Sequence, residues 1–312
     1  MTVSGLPAVE LDRTLAPEVR PLPFRLLGGV VWFARRKPLG FFCAVVMTIL
    51  VLLAIPWVED VVAPYPYAEG VTHIRHGHRL QPGSSGDHLL GTDNHGRDTL
   101  SRLIYGTRVT ILVGFGAVTI SVLVSTVIGI VSGYYMGWVD KVGQRLVDVF
   151  QALPGLALLI TIFGVYGRGW WQLVVVIGIV IGLPGSRILR GQVLSVMASP
   201  YVEGARVVGA GNFRIMLRYV LSNVMALVIL AATFRLGQVV LLEATLSFLG
   251  FGIPPPYPSW GQMLSLEGRE FMRTAPGLAI YPGLAIGIAV FSFNLFGDAL
   301  RDVLDPRLRG SR

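Results

Sequence analysis

Six stretches of this chain are each long enough and apolar enough to cross a membrane: Leu39 to Val58, Val109 to Tyr135, Leu146 to Tyr166, Trp171 to Leu189, Leu221 to Phe248 and Pro276 to Gly297. A hydrocarbon core of roughly 30 Å takes about 20 mostly apolar residues in a helix. The expected fold class is therefore an all-α membrane protein with six transmembrane helices. Composition agrees, because 53% hydrophobic residues against 14% charged lies outside the balance of a soluble domain. The first stretch is too far from the N-terminus, and lacks a small-residue cleavage site after it, to read as a removed signal peptide; it reads as an anchor.

The net charge of +8 raises nucleic acid as a partner, and the placement of the charge answers against it. Of the 26 basic residues, 17 lie in one alternating set of segments: the N-terminal tail, the loop from Lys141 to Arg145, the loop from Arg187 to Tyr219 and the C-terminal tail. Eight lie in the opposite set, and Arg235 lies inside an apolar stretch. That asymmetry places both termini and the Glu203 loop in the cytoplasm. The charge reports topology, and no nucleic-acid partner is expected.

The chain divides into a cytoplasmic tail (1–38), a first span with its external segment (39–108), a core of spans (109–298) holding a cytoplasmic loop at 190–220, and a second tail (299–312). Cys43 is the only cysteine and sits in the first span, so no intrachain disulfide staples the external segment. In that segment Asp98 is suited to cap a short interfacial helix carrying Leu100, Leu103 and Ile104 at helical spacing, ahead of the second span. Pro154, Pro184 and Pro282 fall inside the third, fourth and sixth stretches, where each removes a backbone donor and bends the helix.

Enzymatic constellations are mostly excluded. The only lysines, Lys37 and Lys141, follow no glycine-rich turn, so the chain has no phosphate-binding P-loop and any nucleotide energy comes from another chain. Gly83-Ser84-Ser85-Gly86 matches the short pattern of intramembrane serine proteases, but it sits in a hydrophilic loop and all five histidines lie between residues 73 and 95. His73, His76 and His78 have a spacing open to a transition metal, without the further ligands that a site needs; a solvated loop is the simpler reading. Arg235 and Glu243 lie inside the fifth stretch, about 12 Å apart along a helix axis, too far for a simple direct pair. Each is expected to find its partner elsewhere, in this chain or another, either lining a translocation path or holding a subunit interface or the membrane edge.

The polar interruption between the fourth and fifth stretches has its own pattern. Val202, Ala205 and Val208 recur every three residues, Gly209-Ala-Gly-Asn212 breaks the helix, and Phe213, Leu217 and Val220 form a second stripe with Arg214 and Arg218 on another face. Two short amphipathic helices with a tight bend make a knob that fits a partner's groove; a helical linker lying on the membrane fits the same pattern.

Glu203-Gly-Ala205 followed by Gly209 and Leu221 resembles the loop by which permease subunits of bacterial ATP-binding-cassette importers dock onto their ATPases. His88-Leu-Leu-Gly-Thr-Asp-Asn-His-Gly-Arg-Asp98 with Ser101-Arg-Leu, and Glu243-Ala-Thr-Leu-Ser-Phe-Leu-Gly250 with Pro254-Pro-Pro-Tyr-Pro-Ser-Trp-Gly261, are similar to the C-type permease of dipeptide, oligopeptide and nickel importers. The resemblance covers roughly residues 25 to 309. It implies a type I importer permease fold, no catalysis in this chain, and location in a bacterial cytoplasmic membrane. Its implied partners are a homologous B-type permease, two ATPase subunits that bind the ATP and Mg, and an extracytoplasmic substrate-binding protein. It implies ATPase coupling through Glu203, Gly204, Ala205, Arg206, Gly209, Arg214 and Arg218, and an external motif of Gly91, Thr92, Asp93, Gly96, Arg97 and Asp98. Peptides are the implied substrate, nickel or another small solute the runner-up. Three positions depart from the family's pattern: Gly204 stands for alanine, Ser222 for proline and Arg235 for a small neutral residue.

Overall fold

The computed structural model describes residues 33–68 and 88–304. Among them every long element is a helix, and the one β-bridge pairs Thr92 with Asp98. The residues from 69 to 87, with His73, His76, His78 and Ser85, lie outside the described residues, as do most of the two tails.

Proline decides where the first and third expected spans break. Helix α1 (Pro38–Leu53) and helix α2 (Pro56–Val62) meet at 94° instead of forming one span through Val58. Pro56 forces extended backbone on Ile55 (φ −79°, ψ 124°), which cannot continue a helix. Helix α3 (Thr99–Tyr135) is a single helix of 37 residues, about 55 Å long. It fuses the expected interfacial helix with the second span and runs unbroken through the expected boundary at 108. Met136 and Gly137, both at positive φ, end it and turn the chain into helix α4 (Gly137–Ala152), which absorbs the expected Lys141 to Arg145 loop. Pro154 holds Leu153 extended (ψ 140°), so helix α5 (Gly155–Tyr166) leaves at 89° and the third stretch is also a bent pair. Pro184 and Pro282, by contrast, lie inside the unbroken helices α6 (Trp170–Met197) and α10 (Gly277–Leu304). Between them come α7 (Pro200–Val207), α8 (Asn212–Phe248) and the short α9 (Trp260–Met263). Four helices (α3, α6, α8 and α10) are long and apolar enough to cross a membrane, or six spans if each bent pair counts as one.

The α3–α6 seam holds the bundle together. Lipid offers apolar surface as readily as another helix does, so helices associate where small residues let backbones approach and dispersion contacts multiply. Gly178 and Gly182 of α6 lie against α3: a Cβ at either would stand 2.8 Å from the carbonyl oxygen of Ala117 or Ser121. Gly129 and Gly133 of α3 receive Leu189 and Val193 in return. Helix α8 packs on this pair and α10 packs on α8, with Asn294 over Gly237. Helix α1 closes against α10, where Gly40 meets Ala299 and Lys37 pairs with Asp302. The buried apolar residues form two clusters. The larger, around Val113, Ile177, Val239 and Phe293, fills the bundle; the smaller, around Ile130, Val193, Ile215 and Val224, lies under the α6–α8 connection.

Candidate functional site

The connection between α6 and α8 is built as a knob with a pinned underside and an open tip. Pro200 starts α7 at a position where its missing N–H costs nothing. At the other end Gly209 (φ 84°) donates to Arg206 O, and Ala210 donates to Ala205 O. These are the two bonds of a Schellman cap, which needs a left-handed residue where glycine stands. Of the first apolar stripe, Val202 and Ala205 are buried, whereas Val208 falls in the cap and is 88% exposed. The second arm is not a separate short helix: it is the first turns of α8, continuous through Phe248. Its Ile215–Leu221 turns are π-helical, which rotates the buried face away from the 3.6-residue prediction. Ile215 and Val220 are therefore buried, while Phe213 and Leu217 point outward. Ser222 keeps helical dihedrals (φ −59°, ψ −34°), so the chain continues straight into α8.

The knob's exposed side carries Val207, Val208 and Phe213, surrounded by Glu203, Arg206, Arg214 and Arg218, all exposed. An apolar tip ringed by charge has the composition of a docking surface. Gly204 and Gly209 have open space around their missing side chains. Tyr134, which no local sequence pattern marks, joins the knob to α3. The hydroxyl of Tyr134 donates to Asn212 Oδ1 at 2.8 Å, and the Arg206 guanidinium lies 5.8 Å from its ring centroid.

At the opposite end of α3 the Gly91–Asp98 motif is a closed loop of hydrogen bonds. Gly91 and Gly96 both take φ 75°, Gly96 donates to Asp93 O, and Thr99 N–H donates to Gly91 O. Asp98 caps α3 as expected: one oxygen accepts from Ser101 N and Oγ, and the other pairs with His88 at 2.9 Å. Asp93 is 1% exposed and accepts the backbone N–H groups of His95 and Arg97. The Arg97 guanidinium bridges Asp93 (2.6 Å) to Glu267 (2.8 Å), a partner 170 residues away that no local pattern signals. Arg102, itself 3% exposed, approaches Asp93 at 3.6 Å. Burial, helped by the negative charge of Asp93, raises the Glu267 carboxyl to about 7 against the pull of Arg102 and Arg97. Asp93, His95 and Glu267 bring three metal-ligating atoms within 4.8 Å of one another. Arg97 already donates to both carboxylates, so they are engaged from within the chain.

Arg235 and Glu243 are both inside this chain's own bundle. Arg235 is 8% exposed, donates to Ser125 Oγ on α3 at 2.9 Å and fills a notch left by Gly185 on α6. Glu243 is 1% exposed and accepts from Ser247 Oγ at 2.7 Å, its second oxygen having no hydrogen-bond partner among the described residues.

Residues 125–310 match the family described as the binding-protein-dependent transport system inner membrane component. The glutathione transport system permease protein GsiD of Pectobacterium atrosepticum is 38% identical over 84% of this chain and 85% of its own length. The dipeptide transport system permease protein DppC of Alkalihalophilus pseudofirmus is 34% identical over 88% of each chain. The Escherichia coli GsiD is 36% identical over 94% of this chain and 95% of its own length.

Proposed function

Because this chain belongs to the family of binding-protein-dependent transport system inner membrane components, we propose that it is the C-type permease of an ATP-driven importer of short peptides. In this reading it forms half of the pathway beside a homologous B-type permease in the bacterial cytoplasmic membrane. Two ATPase subunits, holding ATP and Mg, bind beneath the pair of permeases, the knob is this chain's dock for them, and an extracytoplasmic binding protein delivers the solute. Both termini and the knob face the cytoplasm, as the basic residues suggest. The relatives named for glutathione and dipeptide transport support a peptide substrate.

The observation that carries the reading is the knob's division into a buried underside and an exposed apolar tip. A loop packed this firmly moves with α3, α6 and α8 as a unit, so closure of the ATPases on ATP shifts the spans and turns the cavity outward. The residues on or shaping the docking side are Glu203, Gly204, Ala205, Arg206, Gly209, Arg214 and Arg218. The expected result of Gly209→Leu is loss of both ATPase association and peptide uptake, with the subunit still in the membrane. A leucine at φ 84° costs about 1–2 kcal/mol, and its side chain stands where the partner must fit. Glu203→Arg, on the exposed face of α7, tests charge alone. Co-purification of the ATPases and uptake into proteoliposomes are the measurements; survival of both in both variants overturns the assignment.

A further inference from the structure

We propose that Tyr134 is the joint through which the knob moves helix α3, a positioning role that rests on the reading of the knob as the ATPase dock. Its ring is 7% exposed, set among Ile130, Leu189 and Val193. A hydroxyl in such surroundings is tolerated only when it is hydrogen-bonded, and this one donates to Asn212 at 2.8 Å. Asn212 is the first residue of α8, whereas Arg206, over the same ring, belongs to α7. One side chain of α3 thus holds both arms of the knob, although 78 residues separate it from Asn212.

Two further contacts make the joint stiff. Gly133, the neighbouring residue, seats α3 on α6, where an added Cβ would lie 2.7 Å from Val193. Tyr135 stacks edge-on against Tyr134 with centroids 5.1 Å apart. Beyond them α3 runs 37 residues without a break to the Asp98 cap and Arg102. The knob is covalently joined to α6 and α8 but reaches α3 only by side-chain contact. Tyr134 supplies the hydrogen-bonded part of that contact, so losing the bond weakens the coupling to α3 while leaving the knob attached and its apolar underside packed.

The test uses the assembled transporter with its binding protein in proteoliposomes, with dialanine and glutathione as probes. Tyr134→Phe keeps the ring, its packing and its contact with Arg206, and removes only the bond to Asn212. The expected result is a fall of about two- to tenfold in uptake per ATP hydrolysed, at an unchanged amount of assembled complex. Asn212→Ala gives the same fall, and the double variant is no worse than either single one, as expected when both act through one bond. A role confined to folding would lower the assembled amount and leave the ratio of uptake to hydrolysis intact. The proposal is overturned if that ratio stays at the wild-type value in both single variants, or if the two losses add. Absence of ATP-driven uptake in the wild-type complex would instead refute the transport reading on which the proposal rests.

Discussion

Gly182→Leu is expected to leave almost no correctly folded subunit. A Cβ at Gly182 stands 2.8 Å from Ser121 O and 3.0 Å from Ser121 Cα, so the obstacle is backbone and cannot rotate away. Helices α3 and α6 must separate, and the contacts along the whole seam weaken together, since dispersion falls off within an ångström of its optimum. Overpacking by a few methylenes in a soluble core costs about 1–3 kcal/mol. Here the same separation also pulls on the Arg235–Ser125 bond and on the notch at Gly185, leaving a buried guanidinium with poorer partners. Gly164→Leu is the matched control, because nothing lies within 4 Å of a Cβ there. The measurement is the monodisperse fraction after detergent extraction. Wild-type recovery of Gly182→Leu would show that the seam is not what holds the bundle.

Arg97→Ala is expected to destabilise the fold by about 3–5 kcal/mol, the usual cost of removing one member of a buried ion pair. Asp93 and Glu267 would then face each other at 1% and 3% exposure without the cation that bridges them. The pH dependence follows from Glu267, whose carboxyl sits at about 7, raised by burial and then by Asp93. With the folded-state value above the ordinary one, protonation favours the folded state. That contribution is complete below the ordinary value of 4.5 and is lost as pH rises through about 7. Removing Arg97 takes away a charge that holds the Glu267 value down, so the variant depends on protonation more than the wild type does. Its unfolding temperature therefore recovers more between about pH 8 and about pH 5 than that of the wild type. An equal pH response in both proteins would mean that Arg102 alone, and not Arg97, holds the Glu267 carboxyl down.

The parts of the site that were legible in advance are those set by near neighbours. Asp98 capping α3, the shared stripe of Val202 and Ala205, and Gly209 breaking the helix are all decided within a few residues. The misplaced features have identifiable causes. Val208 shares the three-residue spacing of Val202 and Ala205 but stands in the Schellman cap, outside the helical repeat, and so is exposed. Phe213, Leu217 and Val220 share a face at 3.6 residues per turn, but the π-helical turns separate buried Val220 from the outward-facing Phe213 and Leu217. Glu267 and Tyr134 were missed because their partners lie 170 and 78 residues away.

The amino-acid order alone determined that this chain is a bundle of membrane-spanning helices, because apolar runs of about 20 residues have no other low-energy backbone in lipid. It also determined where the polar knob interrupts that bundle, because charge and glycine are local properties. The tertiary structure decided which prolines break a helix and which are carried within one. Pro56 and Pro154 break theirs, whereas Pro184 and Pro282 lie within α6 and α10, each packed against neighbouring helices. It also decided what Arg235 and Glu243 touch within this chain, Ser125 of α3 and Ser247 of α8 respectively. Both outcomes depend on what lies beside a residue in space, and that is set by how closely glycine lets α3 and α6 approach.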